Sequence, residues 1–183
     1  MNAFRAAGAL VSAVGTALAS ALGGRESGPR VHLESGDVAP DFVLRGSDER
    51  EYALRALRGR TVVIAWFPKA FTAGCANECR SMGLNRSSLA GFDAHVFAAS
   101  CDSVEDNRAF AESTGIGVPI LSDPGKTVAR AYGVLGPLGL PSRWTVYISP
   151  EGRIATIDRD VHTGTHGVDI AKTLEKLGVA RRP

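Results

Sequence analysis

Thr61-Val62-Val63-Ile64-Ala65-Trp66-Phe67-Pro68 is the stretch on which the fold turns. Seven β-branched, small or aromatic residues in a row, apolar at nearly every position, describe a strand covered on both faces. That is the pattern of a central strand in a helix-flanked sheet. Pro68 ends the run, because proline has no N–H to give to a neighbouring strand. A loop then reaches Gly74, and residues 75 to 89 hold no proline and one glycine, which predicts a helix.

The same alternation continues on either side. Asp41 to Arg45 has the pattern of a short strand, and a polar turn follows over Gly46 to Glu51. Downstream, Ala94 to Ser100 reads as a second apolar strand. Asp102 to Thr114 reads as a helix in which Asp102 and Glu105 have capping-box spacing. Val118 to Leu121 is a third strand, and Asp123-Pro124 offers an N-cap followed by proline at the first helical position, for a helix to about Tyr132. Beyond a Gly/Pro-rich loop at Gly136 to Pro141, Trp144 to Ile148 and Arg153 to Asp158 flank the turn Pro150-Glu151-Gly152 as a hairpin. A last helix is predicted from about Gly167 to Leu177. Strands that alternate with helices require right-handed crossovers and helices on both faces of the sheet. The expected class is α/β, a three-layer sandwich with a central mixed sheet and flanking helices.

Composition narrows the function. The chain has 183 residues, 44% hydrophobic and 22% charged, enough apolar material for one ordinary domain with its own core. A disulfide-stapled miniature and wholesale disorder are both excluded. With 21 Lys plus Arg against 19 Asp plus Glu, no charge excess points to nucleic acid or to an anionic membrane. Three cysteines, Cys75, Cys79 and Cys101, are too few for a disulfide framework and suit thiol or metal chemistry in a reducing compartment. The cytoplasm is therefore the expected location. Residues 1–24, Ala/Gly-rich with a single Arg5, read as a leader helix or a signal peptide for export, broken by Ser12, Gly15 and Thr16 and so not a stable membrane span. Residues 25–37 read as a linker and 38–183 as the domain.

In a helix-flanked sheet, chemistry gathers where a strand's carboxyl end meets a helix N-terminus, and residues 67 to 75 form such a corner. Cys75 follows Gly74 in the first predicted turn, where free backbone N–H groups and the helix dipole favour an anion. The anion at hand is a thiolate. Thr72, three residues earlier, can turn its hydroxyl to the sulfur, and Pro68 can close the apolar side of a pocket.

Pro68, Thr72 and Cys75 match the P-x-x-x-T-x-x-C motif, and on these residues the chain resembles the peroxiredoxins of the AhpC/TSA superfamily. Glu78 and Cys79 make it similar to the bacterioferritin-comigratory-protein, or PrxQ-like, branch. Further segments that read like the family are Asp102 to Glu112, Leu121-Ser122-Asp123-Pro124 and Arg143-Trp144-Thr145-Val146, so that the likeness spans roughly residues 35 to 178. It implies a thioredoxin-like fold and a thiol-dependent peroxidase for hydrogen peroxide and organic hydroperoxides. In that reading Cys75 is the peroxidatic cysteine, Thr72 its hydrogen-bonding partner, Pro68 the shielding residue and Arg143 the cation that holds thiolate and peroxide. Glu78 and Gly74 stand in support. No metal or organic cofactor is implied, thioredoxin is the implied reductant, and a monomer or weak homodimer is expected.

The resemblance makes Cys79 the first candidate for the resolving thiol, although it lies four residues after Cys75 where the branch often has five. An external thiol ranks second and Cys101 third. Cys75-x-x-x-Cys79 also resembles the copper motif of Sco-type proteins on the same fold, with His162 or His166 as a distant ligand. Otherwise the four histidines, His32, His95, His162 and His166, show no ligand spacing and read as structural or solvated. Phe71 reads either as pocket lining or as ordinary core.

Overall fold

Strand β3 (Thr61–Trp66) is buried at all six of its positions. It pairs in parallel with β4 (Ala94–Ser100) and antiparallel with β6 (Trp144–Ile148). The computed structural model describes residues 31–182; the expected leader and the start of the expected linker lie outside them. The other strands and α-helices are β1 (Val43–Gly46), β2 (Glu51–Ala53), α1 (Ala73–Leu84), α2 (Arg86–Ala90), α3 (Val104–Thr114), β5 (Ile120–Ser122), α4 (Thr127–Ala131), β7 (Ile154–Asp158) and α5 (His166–Lys176), with a 3-10 turn at Leu54–Leu57. Among the described residues the strands form one sheet in the order β2-β1-β5-β4-β3-β6-β7. Its three parallel neighbours, β3, β4 and β5, are flanked by antiparallel pairs. The expected α/β sandwich with a mixed central sheet is what forms.

Alternate residues of β3 enter different cores, as the period of two requires. Val62, Ile64 and Trp66 pack with Phe97, Val128, Tyr132 and Val134 on one face. Val63, Ala65 and Phe67 pack with Cys75, Cys79, Met82, Phe110, Ile170 and Leu174 on the other. Each such Val, Ile or Phe contributes about 1.5–3 kcal/mol by leaving water. Residues 143, 145 and 147 share the face that carries α1 and α5.

Several boundaries depart from the sequence reading. The helix predicted over 75 to 89 starts at Ala73 with Thr72 at its N-cap and stops at Leu84, where the Asn85 side chain donates to Ser81 O at 2.8 Å and α2 begins afresh. The N-cap of α3 is Ser103, whose hydroxyl accepts from Asp106 N at 3.0 Å, so Asp102 is not a cap. Helix α4 begins at Thr127 rather than at Pro124, after Lys126 in the left-handed region. Asp123 still receives N–H groups of that helix, from Thr127 and Ala129, across a wider turn. Strand β2 falls where a turn and its flank were expected. The last expected linker residues lie along β7, with Gly36 N donating to Ile154 O at 2.8 Å.

Candidate active site

The corner after β3 brings Cys75 to the third residue of α1. No side chain caps this helix, so its first N–H groups are not taken up by the Thr72 hydroxyl. Thr72 is exposed and its hydroxyl donates to Lys69 O at 3.0 Å; the expected bond to the sulfur is not formed, because the tight loop offers a nearer carbonyl. Pro68 is half-buried at the loop's start. Phe71 is 60% exposed, with φ of 61°, and stands edge-on to Phe110 at 5.2 Å. A phenylalanine held in the left-handed region stores strain of about 1–3 kcal/mol, which the surrounding structure must sustain.

Arg143, at the entry to β6, reaches this corner. Its Nη2 donates to Cys75 Sγ at 3.4 Å, and its Nη1 donates to Glu78 Oε2. Gly74 leaves room for that approach, since a Cβ there would lie 3.4 Å from Nη2. Burial works to lower the proton affinity of the guanidinium, and Glu78 and the Cys75 sulfur raise it by more. The group is a fixed cation between a buried carboxylate and a buried sulfur. Both Cys75 and Cys79 are sealed from solvent. Burial pushes the Cys79 thiol well above the ordinary cysteine range, and the neighbouring Glu78 and Cys75 push it the same way. In this fold Cys79 is a protonated core residue.

His166 was read as structural or solvated, yet it closes the same cluster. It is buried, with Nδ1 2.9 Å from Glu78 Oε1 and Nε2 2.7 Å from Thr145 Oγ1. The contact with Glu78 is close but not aligned as a hydrogen bond. With Nε2 on Thr145 and Nδ1 lying against Glu78, His166 is not placed as the distant ligand of a Cys75–Cys79 copper site, and His162 is exposed. Among the described residues, no group of three or more His, Cys, Asp and Glu is disposed to hold a metal ion.

Residues 35–157 match the AhpC/TSA family model. The chain belongs to the AhpC/TSA family. It is similar to peroxiredoxin Bcp of Escherichia coli (strain K12), 28% identical over an alignment of 141 residues that covers 73% of this chain and 90% of that one. The crystal structure of peroxidoxin BcpB from Mycobacterium tuberculosis superposes with a TM-score of 0.71 at 28% identity, covering 80% of this chain and 99% of the other. That of the Xanthomonas campestris bacterioferritin comigratory protein gives 0.72 at 25% identity, covering 79% and 99%. The expected assignment to the Bcp/PrxQ branch of the peroxiredoxins, thiol peroxidases on a thioredoxin-like fold, therefore stands.

In this peroxiredoxin Cys101 lies on the other face of the sheet from Cys75, packed against the core that holds Val128 and Tyr132. Burial, and after it Asp123, pushes its thiol up to about 11. Sequence reasoning missed a further residue of the loop. Asp102, buried at the end of β4, accepts from Ala70 N at 2.8 Å and pairs with Lys69, which fastens the loop from Pro68 to Thr72 to the sheet. Its signal was present as a carboxylate directly after an apolar strand.

Proposed function

We propose that Cys75 is the peroxidatic residue of a thiol peroxidase acting on hydrogen peroxide and organic hydroperoxides. The observation that carries this reading is the Arg143 Nη2 donor 3.4 Å from Cys75 Sγ in the first turn of α1. Thiolate is the form of cysteine that attacks, and this sulfur faces a permanent cation at the first turn of a helix. The thiolate displaces alkoxide or hydroxide from the O–O bond, and a proton completes the alcohol or water. Sulfur is oxidised by two electrons to sulfenic acid while the peroxide is reduced. Arg143 donates to charge on sulfur before the attack and to charge on oxygen during it, the arrangement that lowers such a barrier.

Cys79 then condenses with the sulfenic acid, releasing water and leaving a disulfide, which a thioredoxin dithiol reduces by two electrons. Residues four apart on a helix have Cβ atoms about 5–6 Å apart, whereas a disulfide wants about 3.8 Å. The first turns of α1 must therefore unwind before the bond closes. The test is peroxide consumption coupled to a thioredoxin system. Cys75→Ser loses turnover entirely, and Cys79→Ser forms sulfenic acid without efficient cycling. Full turnover by Cys75→Ser overturns the assignment.

A further inference from the structure

The guanidinium of Arg143 has two prongs in use, one on Glu78 Oε2 and one on Cys75 Sγ. A carboxylate beside an arginine ordinarily takes both prongs, since the fork matches its two oxygens. Here Glu78 takes only one. Its second oxygen, Oε1, accepts no hydrogen bond from Arg143 and lies 2.9 Å from Nδ1 of His166, an electrostatic contact that is close but off hydrogen-bond alignment. Glu78 and His166 are each 1% exposed, so water does not compete for either atom. His166 is itself held from behind by Thr145 Oγ1, 2.7 Å from Nε2, on the sheet face from which Arg143 also projects.

The backbone is shaped to bring His166 there. Helix α5 meets α1 at Gly167, whose N–H donates to Ser81 Oγ at 3.2 Å. A Cβ at residue 167 would sit 2.5 Å from Ser81 O and 2.8 Å from Asn85 Cβ, so only glycine permits this approach. The same contact seats residue 166 over Glu78.

We infer that His166 is a positioning residue of the peroxidatic site: by engaging Oε1 it keeps Glu78 a one-pronged partner of Arg143, and so reserves the second guanidinium prong for the sulfur of Cys75. Without the imidazole, the Glu78 carboxylate turns both oxygens to Arg143 and draws Nη2 off the sulfur. The inference rests on the reading of Cys75 as the peroxidatic thiol, and it adds a residue from a different helix that touches neither peroxide nor sulfur.

Three full-length variants test it. The side-chain amide of Asn overlies Nδ1 of histidine and still faces Glu78, whereas that of Gln overlies Nε2 and faces Thr145. Two rates are measured on each protein: oxidation of Cys75 by hydrogen peroxide in stopped flow, and alkylation of Cys75 by iodoacetamide at neutral pH. His166→Leu and His166→Gln slow both by about tenfold or more, the usual effect of losing a partner that orients a reactive group. His166→Asn stays within about threefold of wild type. A merely structural histidine would instead make Asn and Gln fall together, in step with their melting temperatures. That result, or a His166→Leu protein as reactive as wild type, overturns the inference. If wild type ignores peroxide while the alkylation rates keep the stated order, the positioning role stands and the peroxidase reading of Cys75 fails.

Discussion

Asp102 holds Ala70 by its backbone: Oδ2 accepts from Ala70 N at 2.8 Å, so the end of β4 anchors the loop that leads into Cys75. Asp102 is 4% exposed, and water cannot replace it. Asp102→Ala leaves a buried N–H without an acceptor, which costs about 1–3 kcal/mol. It also lets the loop drift, and small misplacements of reacting groups cost about tenfold or more in rate. Lys69, the other partner of Asp102, is 55% exposed while the carboxylate is 2% exposed, so Lys69→Met takes the cation from a buried charge and also destabilises the fold. Urea unfolding and the rate of Cys75 oxidation check both variants. An Asp102→Ala protein matching wild type in the two measurements contradicts the anchoring role.

Disulfide closure between Cys75 and Cys79 requires α1 to open, because both sulfurs are buried in the core that also holds Met82 and Phe110. After peroxide treatment, the amides of residues 75 to 80 exchange with solvent at rates typical of frayed segments, while those of β3 stay protected. In Cys79→Ser the same treatment leaves α1 closed, since no disulfide pulls it apart. Hydrogen exchange with peptide mapping reads both states. Unchanged protection in oxidised wild type, or a bond mapped between Cys75 and Cys101, refutes this account.

What could be read in the chain and what could not divide along a physical line. Thr61 to Phe67 and the cysteine after Gly74 were legible because burial of a central strand and the start of a helix leave local marks in apolar runs, Pro68 and Gly74. Arg143 was legible only through family resemblance, as it stands 68 residues from Cys75. His166 was singled out only as a distant copper ligand, and its place against Glu78 was not legible: that comes from two helices meeting at Gly167, and a lone histidine at a helix start carries no trace of it. The capping errors have a similar source. Asp102 has the residue type and spacing of a cap, but it is recruited by Ala70, and Ser103 next to it takes the helix instead. Asp123 caps α4 from farther back than the local rule allows, because Lys126 adopts the left-handed region and lengthens the turn. The three residues of β2 are too few for any period to show.

Alkaline solution should weaken the fold through Cys101. Burial, then Asp123, raises this thiol from 9.0 to about 11, so the folded chain keeps its proton to higher pH than the unfolded chain. The stability linked to Cys101 is therefore fully present below pH 9.0 and is lost as pH rises toward about 11. Tyr52, pushed up to about 12 by burial and by Asp48, acts in the same direction at the upper end. Cys101→Ala should flatten the fall of the urea midpoint between those two pH values, whatever its effect on the midpoint at neutral pH. Parallel curves for wild type and variant would show that Cys101 is not linked to folding.

Two glycines of the α1 interface separate stability from reactivity. A Cβ at Gly167 would meet Ser81 O at 2.5 Å, and one at Gly83 would meet Gly115 O at 2.3 Å. Both obstacles are backbone atoms that cannot swing aside, so each alanine variant forces neighbouring elements apart and costs about 1–3 kcal/mol. The directions differ. Gly83 faces the end of α3, whereas Gly167 directly follows His166, whose Nδ1 lies 2.9 Å from Glu78 Oε1. Gly167→Ala should therefore slow Cys75 oxidation by about tenfold, while Gly83→Ala, unfolding at a similar urea concentration, should keep most of its rate. Equal losses of rate in the two variants would mean that reactivity follows the general stability of α1, and that the seat of α5 on α1 has no separate hold on Arg143.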